Sequence, residues 1–133
     1  MNVVLDASAA FAMLLNRSGA PVFNKAIAEA DRVYAPILYE SEVTQVCWKN
    51  VRAGIMDLDN GKMTLVKALQ LIDQFIDPVD SVLESLHEAI RLDHSAYDMF
   101  YLTLARRKAA TLLTSDKKLY DLCKSQGVDA VLA

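Results

Sequence analysis

Four acids, Asp6, Glu42, Asp98 and Asp116, are the residues of this chain whose type and spacing suggest chemistry. Each sits at the edge of an apolar strand or helix, where folding would deliver it to a shared crevice. Val3-Val4-Leu5-Asp6 and Leu112-Leu113-Thr114-Ser115-Asp116 both read as buried strands running into a carboxylate, and open parallel sheets bind ligands beyond the carboxyl ends of their strands. Clustered carboxylates repel one another unless a cation joins them, and hard ions such as magnesium and manganese take oxygen ligands. Magnesium also retains waters, so the pattern fits activation of water for attack on a phosphodiester.

Each acid also has an ordinary structural reading. Asp6 suits the cap of a helix beginning at Ala7, and Asp116 that of a helix beginning at Lys117. Asp98 suits the acidic partner of Ser95 in a capping box, and Glu42 an exposed carboxylate beside Glu40. The joint placement of all four favours a metal pocket. Ser8, two residues after Asp6, and Thr114, two before Asp116, carry hydroxyls suited to orienting the waters of a bound ion. His87 falls with Glu84, Glu88 and Arg91 on a solvated helix face, and His94 lies near a helix end; neither reads as a general base. Lys49 with Arg52, Arg106-Arg107-Lys108 and Lys117-Lys118 are basic clusters able to meet phosphates, although charge runs are most often solvated faces. Trp48 and Tyr101 are large enough to stack on bases, with core or interface packing the commoner use.

The elements that must position these residues alternate between strand and helix. After the first strand, Ala7 to Leu15 reads as a buried helix and Pro21 to Ala30 as a second, its proline in the first turn. Val33 to Ala35 is a short strand, and a helix from about Ile37 to Ala53 follows, with Val43, Val46, Cys47 and Val51 along one face and Gly54 as terminator. Asp57 to Gly61 reads as a polar loop, Met63 to Phe75 as a helix, and Ile76 to Val79 as an edge strand, since Pro78 argues against a central one. Ser81 to Glu84 matches a capping box for a helix ending near His94. The spacing predicts a further helix over Ala96 to Lys108, a strand over Thr111 to Thr114, a helix over Lys117 to Ser125 and a strand over Val128 to Leu132. This order predicts an α/β fold, a mostly parallel central sheet with helices on both faces in three layers.

With 133 residues, 53% of them hydrophobic, the chain fits one domain over 1–133. A formal net charge of -3 provides no global positive field for nucleic acid, so a polyanion must be held locally or through metal. Cys47 and Cys123 match no zinc or redox spacing and read as reduced packing residues of a cytoplasmic protein. The apolar start lacks a basic leader and carries Asp6 in its middle, unlike a secretory signal. No stretch approaches the ~18–20 uncharged residues of a membrane span.

Val4-Leu5-Asp6-Ala7-Ser8-Ala9, Ala35-Pro36 followed by Glu42-Val43, Tyr97-Asp98 with Tyr101-Leu102-Thr103-Leu104-Ala105, and Leu113-Thr114-Ser115-Asp116-Lys117-Lys118-Leu119 together resemble PIN-domain ribonucleases, in the right order and over nearly the whole chain. The likeness is strongest to VapC-type toxins. The resemblance implies a magnesium- or manganese-dependent endoribonuclease, the toxin of a type II toxin-antitoxin pair, with Asp6, Glu42 and Asp98 as core ligands and Asp116 as the fourth, acting directly or through water. It further implies an RNA substrate, a homodimer and a small VapB-like antitoxin whose segment enters or covers the acidic groove. Gln45 departs from the pattern, standing where relatives often carry Asn. Two other functions suit a compact α/β domain with strand-end acids: an aspartyl-phosphate receiver-like switch, for which the helix-borne Glu42 and Asp98 are ill placed, and a catalytically silent PIN-like binding module.

Overall fold

A strand that ends in an acid opens the chain and lies at the middle of the sheet. In the computed structural model, which describes residues 1–133, β1 (Asn2–Leu5) is followed by α1 (Ala7–Leu14), α2 (Ala20–Glu29), β2 (Arg32–Pro36), α3 (Leu38–Arg52), α4 (Leu58–Gln70) and β3 (Gln74–Ile76). A 3-10 turn at Pro78–Ser81 then leads to α5 (Val82–Arg91), α6 (Ala96–Lys108), β4 (Thr111–Thr114), α7 (Lys117–Ser125) and β5 (Ala130–Leu132). The five strands lie in the order β3-β2-β1-β4-β5, every neighbouring pair parallel. Helices α1 to α4 pack together on one face and α5 to α7 on the other, the three layers expected.

Parallel strands covered on both faces are apolar throughout. Val3, Val4 and Leu5 are fully buried, as are Leu112 and Leu113 beside them. They belong to one cluster of 30 buried hydrophobic residues. The order reverses between β1 and β4: the chain winds outward from β1 through β2 to β3, then returns to add β4 on the other side. A crevice opens at such a reversal beyond the strand ends, and Asp6 and Asp116 follow the two strands that flank it.

The stretch from 57 to 79 differs from expectation. Asp57 to Gly61 is not a loop, because Asp57 accepts a 2.8 Å hydrogen bond from the Asn60 N–H and caps α4 five residues earlier than the apolar spacing suggests. Gly61 belongs to that first helical turn, and its lack of a side chain is a packing need: a Cβ there would stand 2.5 Å from Val51 Cγ2 of α3. The helix ends at Gln70, so Phe75 lies on β3, and Pro78 opens the 3-10 turn instead of continuing an edge strand. Asp73 closes this passage from both sides, its N–H donating to Val33 O and its Oδ2 accepting from Val33 N.

Helix α5 is turned inside out. The expected capping box does not form, since the Ser81 hydroxyl donates to Pro78 O and Glu84 reaches Arg106 and Arg107 instead. Ser85 is buried with its hydroxyl 3.1 Å from that of Thr103, and Glu88, expected on a solvated face, is only 5% exposed. His87 does face solvent, while Val82, Leu83, Leu86 and Ile90 point outward with Val79. Polar and apolar faces are thus reversed relative to an ordinary surface helix.

Candidate functional site

The local reading and the functional reading of Asp6 hold at once. Asp6 has extended backbone and caps α1, its Oδ1 accepting from Ala9 N at 2.9 Å and from the Ser8 hydroxyl at 2.7 Å. The Ser8 and Thr114 hydroxyl oxygens lie 3.3 Å apart, within hydrogen-bond reach across the two strand ends. Thr114 Oγ1 in turn accepts the Asp116 N–H at 3.0 Å, and the Ser8 oxygen accepts the Ser115 N–H at 2.9 Å. Ser8 and Thr114 therefore stitch the β1 end to the β4 end and aim the two acids. Asp116 caps α7 through Oδ1, which takes the N–H groups of Lys118 and Leu119 at 2.9 and 3.3 Å.

Two helices bring in the remaining acids from opposite faces of the sheet. Glu42, on the first turns of α3, is half-buried, not the exposed acid its neighbour Glu40 is. Its Oε1 accepts a 2.5 Å hydrogen bond from the Tyr101 hydroxyl. Asp98, in the first turn of α6, does not serve as a cap: Ser95 alone caps that helix, through Tyr97 N, and Asp98 Oδ2 lies 2.7 Å from His94 Nε2. In Glu42, Asp98 and Asp116 one oxygen is held by the protein and the other accepts nothing from it.

Burial without a lysine or arginine partner marks this corner. Burial pushes the Asp6 carboxyl up to about 6, opposed by hydrogen bonds from Thr114, Ala9 and Ser8 and reinforced by the charge on Asp98. Burial likewise raises Glu42, the Tyr101 hydroxyl pulls it down, and the charges of Asp6 and Asp98 raise it again. Burial first, then Glu42, raises the Tyr101 phenol, which stays a proton donor. No lysine or arginine is paired with any of the four acids.

Asp6, Glu42 and Asp98 thus lie within one another's electrostatic reach, whereas the exposed Asp116 is tied to this corner through its backbone N–H on Thr114, and its carboxylate caps α7. As placed, no three acidic, His or Cys side chains are drawn tightly enough to enclose an ion. The donor set still suits a hard divalent cation: carboxylate oxygens that repel one another, with no lysine or arginine among them.

His94 and Tyr101 are the site residues that sequence reasoning missed. His94 lies four residues before Asp98, just ahead of the α6 cap, a spacing that alone could have flagged it; Tyr101 is 59 positions from Glu42, and nothing local joins them. The basic clusters divide sharply. Arg106 and Arg107 are bound to Glu84, Lys117 to Asp121, and Lys108 lies over the Tyr34 ring. Lys49 meets no carboxylate, and Arg52 stacks on the half-exposed Trp48.

Comparison with known proteins gives a consistent picture. The family model described as "PIN domain" matches residues 3–125. A protein named VapC ribonuclease from Mycobacterium bovis is 31% identical over 125 residues, 93% of each chain. The protein named Ribonuclease VapC3 from Pyrobaculum aerophilum is 28% identical over 123 residues, 90% of this chain and 92% of that one. The crystal structure of PAE2754 from Pyrobaculum aerophilum superposes with a TM-score of 0.72 at 25% identity, covering 98% of this chain and 92% of its own.

Proposed function

The chain belongs to the PIN-domain family, and we propose that it is an endoribonuclease dependent on magnesium or manganese, the toxin of a type II pair restrained by a small VapB-like antitoxin. The observation that carries this reading is the carboxylate cluster at the sheet reversal, with Asp6 buried, Glu42 and Asp98 half-buried, and no lysine or arginine paired with any of them. Asp6, Glu42 and Asp98 would hold the ion, with Asp116 as the fourth acid. When bound, the ion supplies positive charge at the phosphate and lowers the pKa of water.

What the chain itself contributes is aim. Ser8 and the Ala9 N–H fix Asp6, Tyr101 fixes Glu42, His94 fixes Asp98 and the α7 N–H groups fix Asp116, each through one oxygen. Preset carboxylates need no reorganisation when charge develops on the phosphate. Ser8 and Thr114 act on the acids and on the backbone between them, a more direct role than orienting water.

A homodimer is part of the same proposal. The outward apolar row Val79, Leu83, Leu86 and Ile90 supports a second copy pairing along α5, since those side chains are 56% to 82% exposed and contiguous apolar surface marks an interaction site. No helix is long and apolar enough to cross a membrane, and buried free Cys47 and Cys123 suit a cytoplasmic enzyme.

Cleavage of a structured RNA pool in magnesium tests the assignment. Asp6→Asn and Asp98→Asn should each abolish it while the protein stays folded, and full activity in either variant rejects the site. Titration calorimetry with manganese separates a nuclease from a silent module. A stable mass increase after incubation with a small phosphodonor would point to the receiver-like switch.

A further inference from the structure

Beside the acids, α3 presents a face to the first turns of α1 and α6. Leu38, Glu42, Gln45, Val46 and Lys49 follow the i, i+4, i+7, i+8, i+11 rule and lie in one stripe. With Tyr97 they line a cavity of about 370 Å³, inside the ~300–1,000 Å³ range of small-ligand pockets. Glu42 is the only one of the four acids on its wall, so the cavity adjoins the proposed cleavage centre without being it.

The composition of the walls is uneven. Tyr97 directly precedes Asp98, yet it is 63% exposed and its ring is not spent on the core. Lys49, two turns along α3 from Glu42, has no carboxylate partner, unlike Arg106, Arg107 and Lys117. Leu38 and Val46 give an apolar floor, and the exposed Gln45 offers an amide with both donor and acceptor. An exposed aromatic ring, a free cation and an amide within one cavity match the π-face, phosphate and edge of one unpaired nucleotide.

Resting on the nuclease reading, we infer that this cavity is the subsite for the unpaired nucleotide next to the scissile phosphate, its base stacked on Tyr97 and contacted by Gln45, its outer phosphate on Lys49. A base held there is unpaired, because a base inside a duplex exposes no face to Tyr97. The occupant is RNA because the exposed Tyr97 ring offers a face on which a base stacks and Lys49 a cation for its outer phosphate.

The test uses the full-length Asp6→Asn protein, which binds without cutting, and a fluorescent twelve-nucleotide mixed-sequence single-stranded RNA. Adding Tyr97→Ala should weaken binding roughly tenfold, the usual scale of one base stack, while Tyr97→Phe and Tyr97→Trp retain it. Lys49→Ala should weaken binding and lower the salt dependence by about 0.7 of a counterion. In the cleaving wild-type background, Tyr97→Ala should act on KM more than on kcat. Unchanged affinity in Tyr97→Ala, loss in Tyr97→Trp equal to that in Tyr97→Ala, or equal affinity for the same RNA as a duplex overturns the subsite. So does capture of a short arginine- and leucine-bearing peptide that the RNA does not displace, which would assign the cavity to a protein partner. Wild-type protein that fails to cleave any RNA rejects the nuclease reading itself, whereas a cleaving wild type with unaltered Tyr97→Ala rejects only the subsite.

Discussion

Asp6 and Glu88 are buried to nearly the same degree, 6% and 5% exposed, yet their acidities move in opposite directions. Glu88, on α5, is held below the ordinary carboxylate range by the Arg91 guanidinium, against burial and with help from Arg106. Nearby Glu84 follows: Arg106 and Arg107 more than offset its burial. Asp6 has no cation at all, and burial pushes it up to about 6. One acidic region completes its electrostatics inside the chain; the other leaves them open. The difference teaches where to look for function, because a fold has no structural use for an uncompensated buried acid cluster.

The largest expected effect comes from removing an acid on the open side. Asp6→Asn keeps a good helix cap while deleting the charge, so magnesium-dependent cleavage should fall by at least roughly 10²–10³-fold. Without divalent ions at pH 7.5, the same variant should be more stable by up to about 3 kcal/mol, the free energy equivalent of its pKa displacement. Calorimetric melting with chelator checks this, and a lower melting temperature than wild type would break the comparison.

A pH series sharpens it. Asp6 is raised from an ordinary 3.8 to about 6, so the stability it favours is complete below pH 3.8 and is lost as pH rises through about 6. Metal-free wild-type protein should lose melting temperature across that window, and Asp6→Asn should flatten the loss. Glu84 and Glu88 are lowered, so their contribution stands above their ordinary range near 4.5 and is lost as pH falls through their depressed values.

Manganese should reverse the penalty on the open side: at one hundred times Kd it should stabilise wild type by about 2.7 kcal/mol. Asp98→Asn should lose most of that increment, as differential scanning fluorimetry would show. On the closed side, Glu88→Gln leaves Arg106 and Arg91 short of a partner and should cost about 1–3 kcal/mol in chemical unfolding, with little change in cleavage. The smallest effect is expected from Tyr101→Phe, which removes one hydrogen bond from Glu42 and should lower kcat/KM about tenfold, with little shift in melting temperature.

Most of the sheet was legible because its determinants are local. Apolar runs, helix caps and the position of Pro36 mark where β1, β2 and β4 end, and therefore where Asp6 and Asp116 emerge. The stretch 57–76 was misread because Gly61 resembles a loop signal until Val51 is seen against it. Inversion of α5 was illegible for a similar reason: its hydrophobic period is that of any amphipathic helix, and period alone does not say which side faces in.

From the residues alone came the alternation of strand and helix, the apolar centre and four acids placed at element edges, all consequences of interactions spanning a few residues. Tertiary structure decided which oxygen of each acid is tethered, that Tyr101 rather than water holds Glu42, that Arg106 and Arg107 are consumed by α5 while Lys49 is left free, and that α5 shows its apolar face to solvent. Those outcomes depend on contacts between positions far apart in the chain, where burial and pairing compete and no local pattern records which partner wins.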